Sequence, residues 1–148
     1  MTLTAKCGAR SVDAGPPGPP LSAFPPPGTV ARAREVAAGI LEDSGLSPGD
    51  RLVADALLVT SELVTNAIRH GGGLTAFRAE VRDGAFRVLV ADRNPDPPVT
   101  RVGPTVGCVG GYGWRLVHTL ASHVTVTLHA AGKHITATLL PAPAPAPA

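Results

Sequence analysis

Three groups of residues have types and spacings suited to chemistry. Glu62, Asn66 and His70 recur every four positions, the repeat that lays side chains along one ridge of a helix. A carboxylate and an amide oxygen one turn apart can face a hydrated Mg2+, which takes a few oxygen ligands and keeps much of its water. The same ridge could be an ordinary solvated helix face. It runs, however, into Gly71-Gly72-Gly73, which predicts open space above it rather than another packed turn. Asp92 follows the run Phe86-Arg87-Val88-Leu89-Val90-Ala91, so its carboxylate emerges where a strand gives way to a loop, as ligand-holding groups often do; a turn-starting Asp before Asn-Pro is the competing reading. Gly110-Gly111-Tyr112-Gly113 directly precedes the segment Trp114 to Ala121. Backbone N–H groups of such a loop can curl around an anion, and a helix N-terminus adds about half a positive charge, which suits phosphate. A flexible connector is the alternative.

The elements that must position these groups follow from periodicity. Val30, Ala33, Val36, Ala37, Ile40 and Leu41 share one helical face after Thr29, which predicts a helix over about 29–43 that the chain leaves at Gly45. Ser47-Pro48-Gly49-Asp50 reads as a helix start, with Ser as N-cap and Pro in the first position. From there Leu52, Val53, Ala56, Leu57, Leu63, Val64, Ala67 and Ile68 keep helical period to the three glycines, so a longer helix is expected over about 48–70. The pattern then becomes period two, with Thr75, Phe77, Ala79 and Val81 alternating with polar or small residues before Asp83-Gly84. Asp-Gly between alternating strands is a strong hairpin signal. The return strand, 85–91, leads into Asp92, and a Pro- and Gly-rich loop over 93–110 precedes a short helix at about 113–121. Val124, Val126 and Leu128, a turn at 130–132, and Ile135, Ala137 and Leu139 form a last hairpin. This order predicts an α+β fold: a two-layer α/β sandwich with an antiparallel or mixed sheet covered on one face by about three helices.

The 148 residues suffice for one domain. Seven prolines between Gly15 and Pro27 and the Pro-Ala alternation from Pro141 to Ala148 offer little to bury. Residues 1–27 and 142–148 are therefore expected to be disordered tails around a folded 28–141. No run of about 20 apolar residues suggests a membrane span, and Met1 to Pro20 does not read as a signal peptide. A formal charge of +2 and the lack of a basic, aromatic-interleaved stripe argue against nucleic acid. Cys7 and Cys108 form neither a disulfide framework nor a metal motif and read as free thiols in a reducing cytoplasm. His118, His123, His129 and His134 show no metal-ligand spacing and read as structural or exposed.

Taken together, the three groups resemble a known constellation. Glu62-Leu63-Val64-Thr65-Asn66-Ala67-Ile68-Arg69-His70 looks like the N box of the GHKL (Bergerat) ATPase superfamily, and in particular like that of the compact anti-sigma factor kinases of bacterial partner switching. Asp92-Arg93-Asn94-Pro95 resembles the first glycine box, without its glycine, and Gly111-Tyr112-Gly113-Trp114-Arg115-Leu116-Val117 resembles the second. The resemblance covers about 28–141. It implies ATP and Mg2+ as cofactors, with Asn66 as metal ligand, Glu62 orienting or activating the nucleophile, and Asp92 accepting from the adenine amino group, which favours ATP over GTP. Gly111 and Gly113 would hold phosphates, Asn94 and Lys133 would lie against the nucleotide, and 93–110 would act as a lid. Departures stand at Val109, Gly110 and Trp114.

The implied function is an ATP-binding anti-sigma regulator that phosphorylates a serine or threonine of a small antagonist. Its partners would be a sigma factor and a STAS-type anti-anti-sigma protein, and a homodimer is compatible with it. Two further readings are a module that binds ATP and regulates a partner without transfer, and a detached catalytic domain of a histidine kinase. The second of these is disfavoured because no phosphoacceptor helix precedes residue 28.

Overall fold

The computed structural model describes residues 2–5, 27–98 and 111–141. Along these the order is β1 (Thr2–Ala5), α1 (Val30–Asp43), α2 (Arg51–Arg69), β2 (Leu74–Arg82), β3 (Ala85–Asp92), α3 (Gly111–Leu120), β4 (His123–His129) and β5 (Gly132–Leu139). The strands form one five-stranded sheet in the order β1-β4-β5-β3-β2, and every pairing is antiparallel.

Local chemistry explains most of these elements. Thr29 caps α1 by accepting from the Arg32 N–H at 3.1 Å. Ala33, Ala37 and Leu41 are wholly buried on one face of α1. On α2 the buried residues Leu52, Val53, Ala56, Val59, Thr60, Leu63, Val64 and Ala67 form a helical stripe. The buried Thr60 hydroxyl donates to Ala56 O at 2.8 Å, and Arg34 donates across to the Ser61 hydroxyl at 2.6 Å, tying α1 to α2. Asp83 (φ 52) and Gly84 (φ 77) both take positive φ, the signature of a type I′ turn, whose twist matches the strands it joins.

The helices cover one sheet face. Phe77, Phe86, Val88, Val90, Val124, Val126, Ile135, Ala137 and Leu139 point into the shared core with α1–α3. Burying a residue such as Phe86 contributes about 1.5–3 kcal/mol. The predicted two-layer α+β sandwich is therefore the observed architecture. Among the described residues no helix is long and apolar enough to cross a membrane.

Three local expectations are corrected. Residues 1–27 are not a featureless tail throughout, because Thr2–Ala5 form β1 and pair with β4, Thr2 opposite Thr127 and Ala5 opposite Val124. Thr-Leu-Thr-Ala has strand character of its own, masked in composition by the prolines that follow; residues 6–26 lie outside the described residues. The start of α2 is Arg51, with Asp50 rather than Ser47 at the N-cap position. Ser47 to Asp50 form a turn in which Asp50 N–H donates to Ser47 O at 2.9 Å and the Asp50 carboxylate accepts from Ser47 N–H at 2.7 Å, a use of Pro-Gly that outcompetes the helix start. Finally, α3 begins at Gly111, so Gly111, Tyr112 and Gly113 make its first turn instead of a loop before it. Gly110 and the part of the predicted lid over 99–110 lie outside the described residues.

Candidate functional site

Asp92 is the last residue of β3, held between Leu74 of β2 and Lys133 of β5 in the sheet register. It is 5% exposed. Its Oδ1 accepts from Lys133 Nζ at 3.0 Å and from the Asn94 N–H at 2.9 Å. Lys133 Nζ also donates to Asn94 O at 3.1 Å. A carboxylate this buried needs such partners, since an unpaired buried charge costs several kcal/mol. Asp92 Oδ2 accepts no hydrogen bond among the described residues.

Two glycines make room for this arrangement. A Cβ on Gly71 would collide with the Asp92 side chain, and a Cβ on Gly132 (φ +151) would collide with the Asp92 carbonyl. The residues after α2 and after β3 are also stitched together: Arg93 N–H donates to Gly71 O at 2.9 Å and Asn94 Nδ2 donates to His70 O at 3.0 Å. The space expected above Gly71–Gly73 is therefore partly taken by Asp92 and Arg93. Asn94, expected to touch the nucleotide, spends its amide on the protein, because its Oδ1 accepts from Asp96 N–H at 2.9 Å while its Nδ2 holds His70. It acts as a clasp between two segments.

The other end of the site lies on α2 and α3. Glu62 and Asn66 are half-buried beside the apolar stripe, one turn apart as expected. From Glu62 to the end of α2 at Arg69 the helix rises about 10 Å, so the ridge connects the α3 end of the site to the Asp92 end. The Glu62 carboxylate sits where a Cβ on Gly113 would be, against the first turn of α3. Among the described residues neither the Glu62 carboxylate nor the Asn66 amide makes a hydrogen bond. The N–H groups of a first helical turn have no partner within the helix, so Gly111 and Gly113 still supply donors although they are helical.

Of the residues singled out from sequence, the structure gathers Asp92, Asn94 and Lys133 at one end, and Glu62 with Gly113 at the other. Asn66 lies one turn along α2, and Gly111 lies in the first turn of α3. Sequence reasoning missed Gly71 and Gly132, whose lack of a side chain lets Asp92 fit, and it missed that Lys133 pairs with Asp92. Gly132-Lys133 after a turn was visible, but only the β3–β5 register brings it to Asp92.

Three of the other histidines make ring contacts. His118 packs edge-on against Trp114, ring centroids 4.6 Å apart, and burial pushes its pKa below the ordinary imidazole value. His129 and His134 make a similar pair at 4.8 Å. Burial lowers His134, His129 adds to the lowering, and Asp92 opposes it.

Two solved structures from Erythrobacter litoralis EL346 are similar: a histidine kinase domain of its blue-light activated histidine kinase (TM-score 0.45, 23% identity, 74% of this chain and 59% of that one) and the blue-light activated histidine kinase itself (TM-score 0.45, 24% identity, 74% and 40%). The chain thus spans about three-fifths and two-fifths of those two. No curated protein matches it. The histidine kinase-like ATPase domain family matches residues 11–139, from within the predicted N-terminal tail to the end of β5. Over most of its length, this chain belongs to the histidine kinase-like ATPase domain family and has the GHKL-type ATP-binding fold.

Proposed function

We propose that the protein is a cytoplasmic ATP-binding regulator, an anti-sigma factor that transfers the γ-phosphoryl group of ATP to a serine or threonine of a small STAS-type antagonist. The observation that supports this most directly is the Glu62 carboxylate set against the glycine first turn of α3, with Asn66 one turn away. On this reading Glu62 would be the proton acceptor and Asn66 the metal ligand, both on the ridge that leads to Asp92.

The residues present fit both ATP and Mg2+. Gly71 and Gly132 form a cradle around Asp92 that a Cβ would fill, and Asp92 Oδ2 is left to accept from the base. Asn66 would hold Mg2+ through its amide oxygen, and the ion would supply charge neutralisation on the phosphates. Glu62 would orient the acceptor hydroxyl and take its proton as the phosphoryl group moves, leaving ADP and a phosphoserine or phosphothreonine. Backbone N–H groups of Gly111 and Gly113 would stabilise the charge on the transferred group. Phosphoryl transfer relies mainly on positioning and charge, so this small set suffices.

The test is incubation of the full chain with radiolabelled ATP, Mg2+ and candidate antagonist proteins. Label on a serine or threonine of an antagonist, lost in Glu62→Gln, is the expected result. ATP binding with no label on any antagonist would leave the protein as a non-transferring binding module.

A further inference from the structure

The β4–β5 hairpin brings together two imidazoles whose spacing in the chain gives no metal motif. Its register sets His129 opposite Gly132 and Thr127 opposite His134, so His129 and His134 are diagonal neighbours, within reach of long side chains. Strand alternation turns Leu128 toward the core and buries Lys133, which leaves both histidines on the sheet face away from the helices. His129 is exposed and His134 half-buried. Their ring centroids lie 4.8 Å apart, with the ring planes at 66°. We infer that this pair is a site for a divalent transition-metal ion, held by one nitrogen of each ring, with water in the remaining positions.

The spacing of the rings suits that use. A metal–imidazole bond of about 2.0–2.1 Å puts each ring centroid about 3.2 Å from the ion. Centroids 4.8 Å apart then subtend about 97° at the metal, between the right angle of a square-planar site and the wider angle of a tetrahedral one. A neutral imidazole is the form that ligates. Burial, and then repulsion from His129, push the His134 pKa below its ordinary value while Asp92 opposes them, which favours that form. Among the described residues no group of three or more His, Cys, Asp and Glu could hold a metal, so the protein supplies two ligands here. Imidazole suits Zn2+, Ni2+ and Cu2+, of which Cu2+ binds most tightly. Mg2+ takes oxygen ligands, so the ion proposed for Asn66 does not compete, and the pair stands independently of nucleotide binding.

Calorimetric titration of the full chain with CuCl2 and with ZnCl2 tests this, in a Cys7→Ser/Cys108→Ser background so that thiolates do not take the metal. One Cu2+ per chain is expected at this pair, bound more tightly than Zn2+, with an electron paramagnetic resonance spectrum showing two coordinating nitrogens. Zn2+ should raise the melting temperature, since the ion binds the folded hairpin. His129→Ala and His134→Ala are each expected to weaken Cu2+ at least about tenfold, as even changes outside the ligand shell cost about 10–100-fold, and to remove the melting shift. Should alanine disturb the strand end, His129→Gln is the second variant at the exposed position, and each variant is first checked for a cooperative melt without metal. His123→Ala, on the same face but about 20 Å from His129 along β4, should bind as the parent does. A parent chain that takes up no Cu2+ overturns the inference. So does an affinity unchanged in the cooperatively melting variants of His129 and His134, or a loss as large in His123→Ala.

Discussion

The two ends of the site are built differently. At the sheet end, Asp92, Asn94 and Lys133 are bound to one another and to the residues after α2, and the packing tolerates no Cβ at Gly71 or Gly132. At the α2–α3 end, Glu62 and Asn66 make no side-chain hydrogen bond among the described residues, and the first turn of α3 has N–H groups with no partner inside the helix. One end is pre-formed by strands; the other carries polar capacity that the described residues leave unused. On the proposed reading the rigid end would recognise the nucleotide, and the end with unspent donors and acceptors would follow charge as it moves from ground state to transition state.

The comparison breaks most visibly at Glu62. Glu62→Gln is expected to lower phosphoryl transfer by about 10²–10⁴ while ATP affinity stays within a few fold, as read by radiolabel transfer beside calorimetry. Equal transfer rates in variant and wild type would remove the catalytic role. Asn66→Ala should instead abolish Mg2+-dependent binding and transfer together, and titration of ATP with and without Mg2+ would show a metal effect in wild type alone.

At the pre-formed end, Asp92→Ala should weaken ATP by about 1.5–3 kcal/mol, the loss of a hydrogen bond to a charged group, and lower the melting temperature as well, because Lys133 is left buried without its carboxylate. Gly71→Ala pushes into the same anchored side chain and should cost both stability and affinity. Gly113→Ala sharpens the contrast: alanine is worth up to about 1 kcal/mol over glycine in a helix, and its Cβ meets only the far end of the flexible Glu62. Its melting temperature should hold or rise while transfer falls at least tenfold. If Gly113→Ala transfers phosphate at the wild-type rate, the position of Glu62 against α3 is unimportant.

The smallest expected effect concerns pH. His118 and His134 have pKa values below the ordinary imidazole value of about 6.5, so the unfolded chain binds more protons in the window below that value. Stability should therefore be full above about 6.5 and decline as pH falls through and below it. Melting curves of wild type and the double variant His118→Gln/His134→Gln should converge at acid pH, and an equal pH slope in both would exclude these residues as the cause.

The two ends also differed in how far they could be read from sequence. The Glu62–Asn66 ridge was legible because helical period places residues four apart on one face, and α2, the Asp-Gly hairpin and the layered architecture were legible for the same local reason. The sheet end was legible at Asp92, where an apolar strand stops. It was not legible in the partnership with Lys133, which depends on a cross-strand register between residues far apart in the chain, nor in Asn94, whose amide closes on His70 instead of facing outward. Where local signals competed, as at Ser47-Pro48-Gly49, the turn prevailed over the helix start because Pro and Gly suit its central positions. β1 was hidden for a different reason: four residues are too few for periodicity to stand out.

That short strand also bears on the order in which the fold opens. Thr2 reaches its partner Thr127 across nearly the whole chain, so joining β1 to the sheet carries a closure entropy that the hairpin at Asp83-Gly84 never meets. Four residues long and, like β2, paired on one side only at a margin of the sheet, it has few hydrogen bonds to hold it. Hydrogen exchange should find β1 opening well before the β3–β5 pair that carries Asp92, so the sheet can release its first strand while its Asp92–Lys133 corner stays closed.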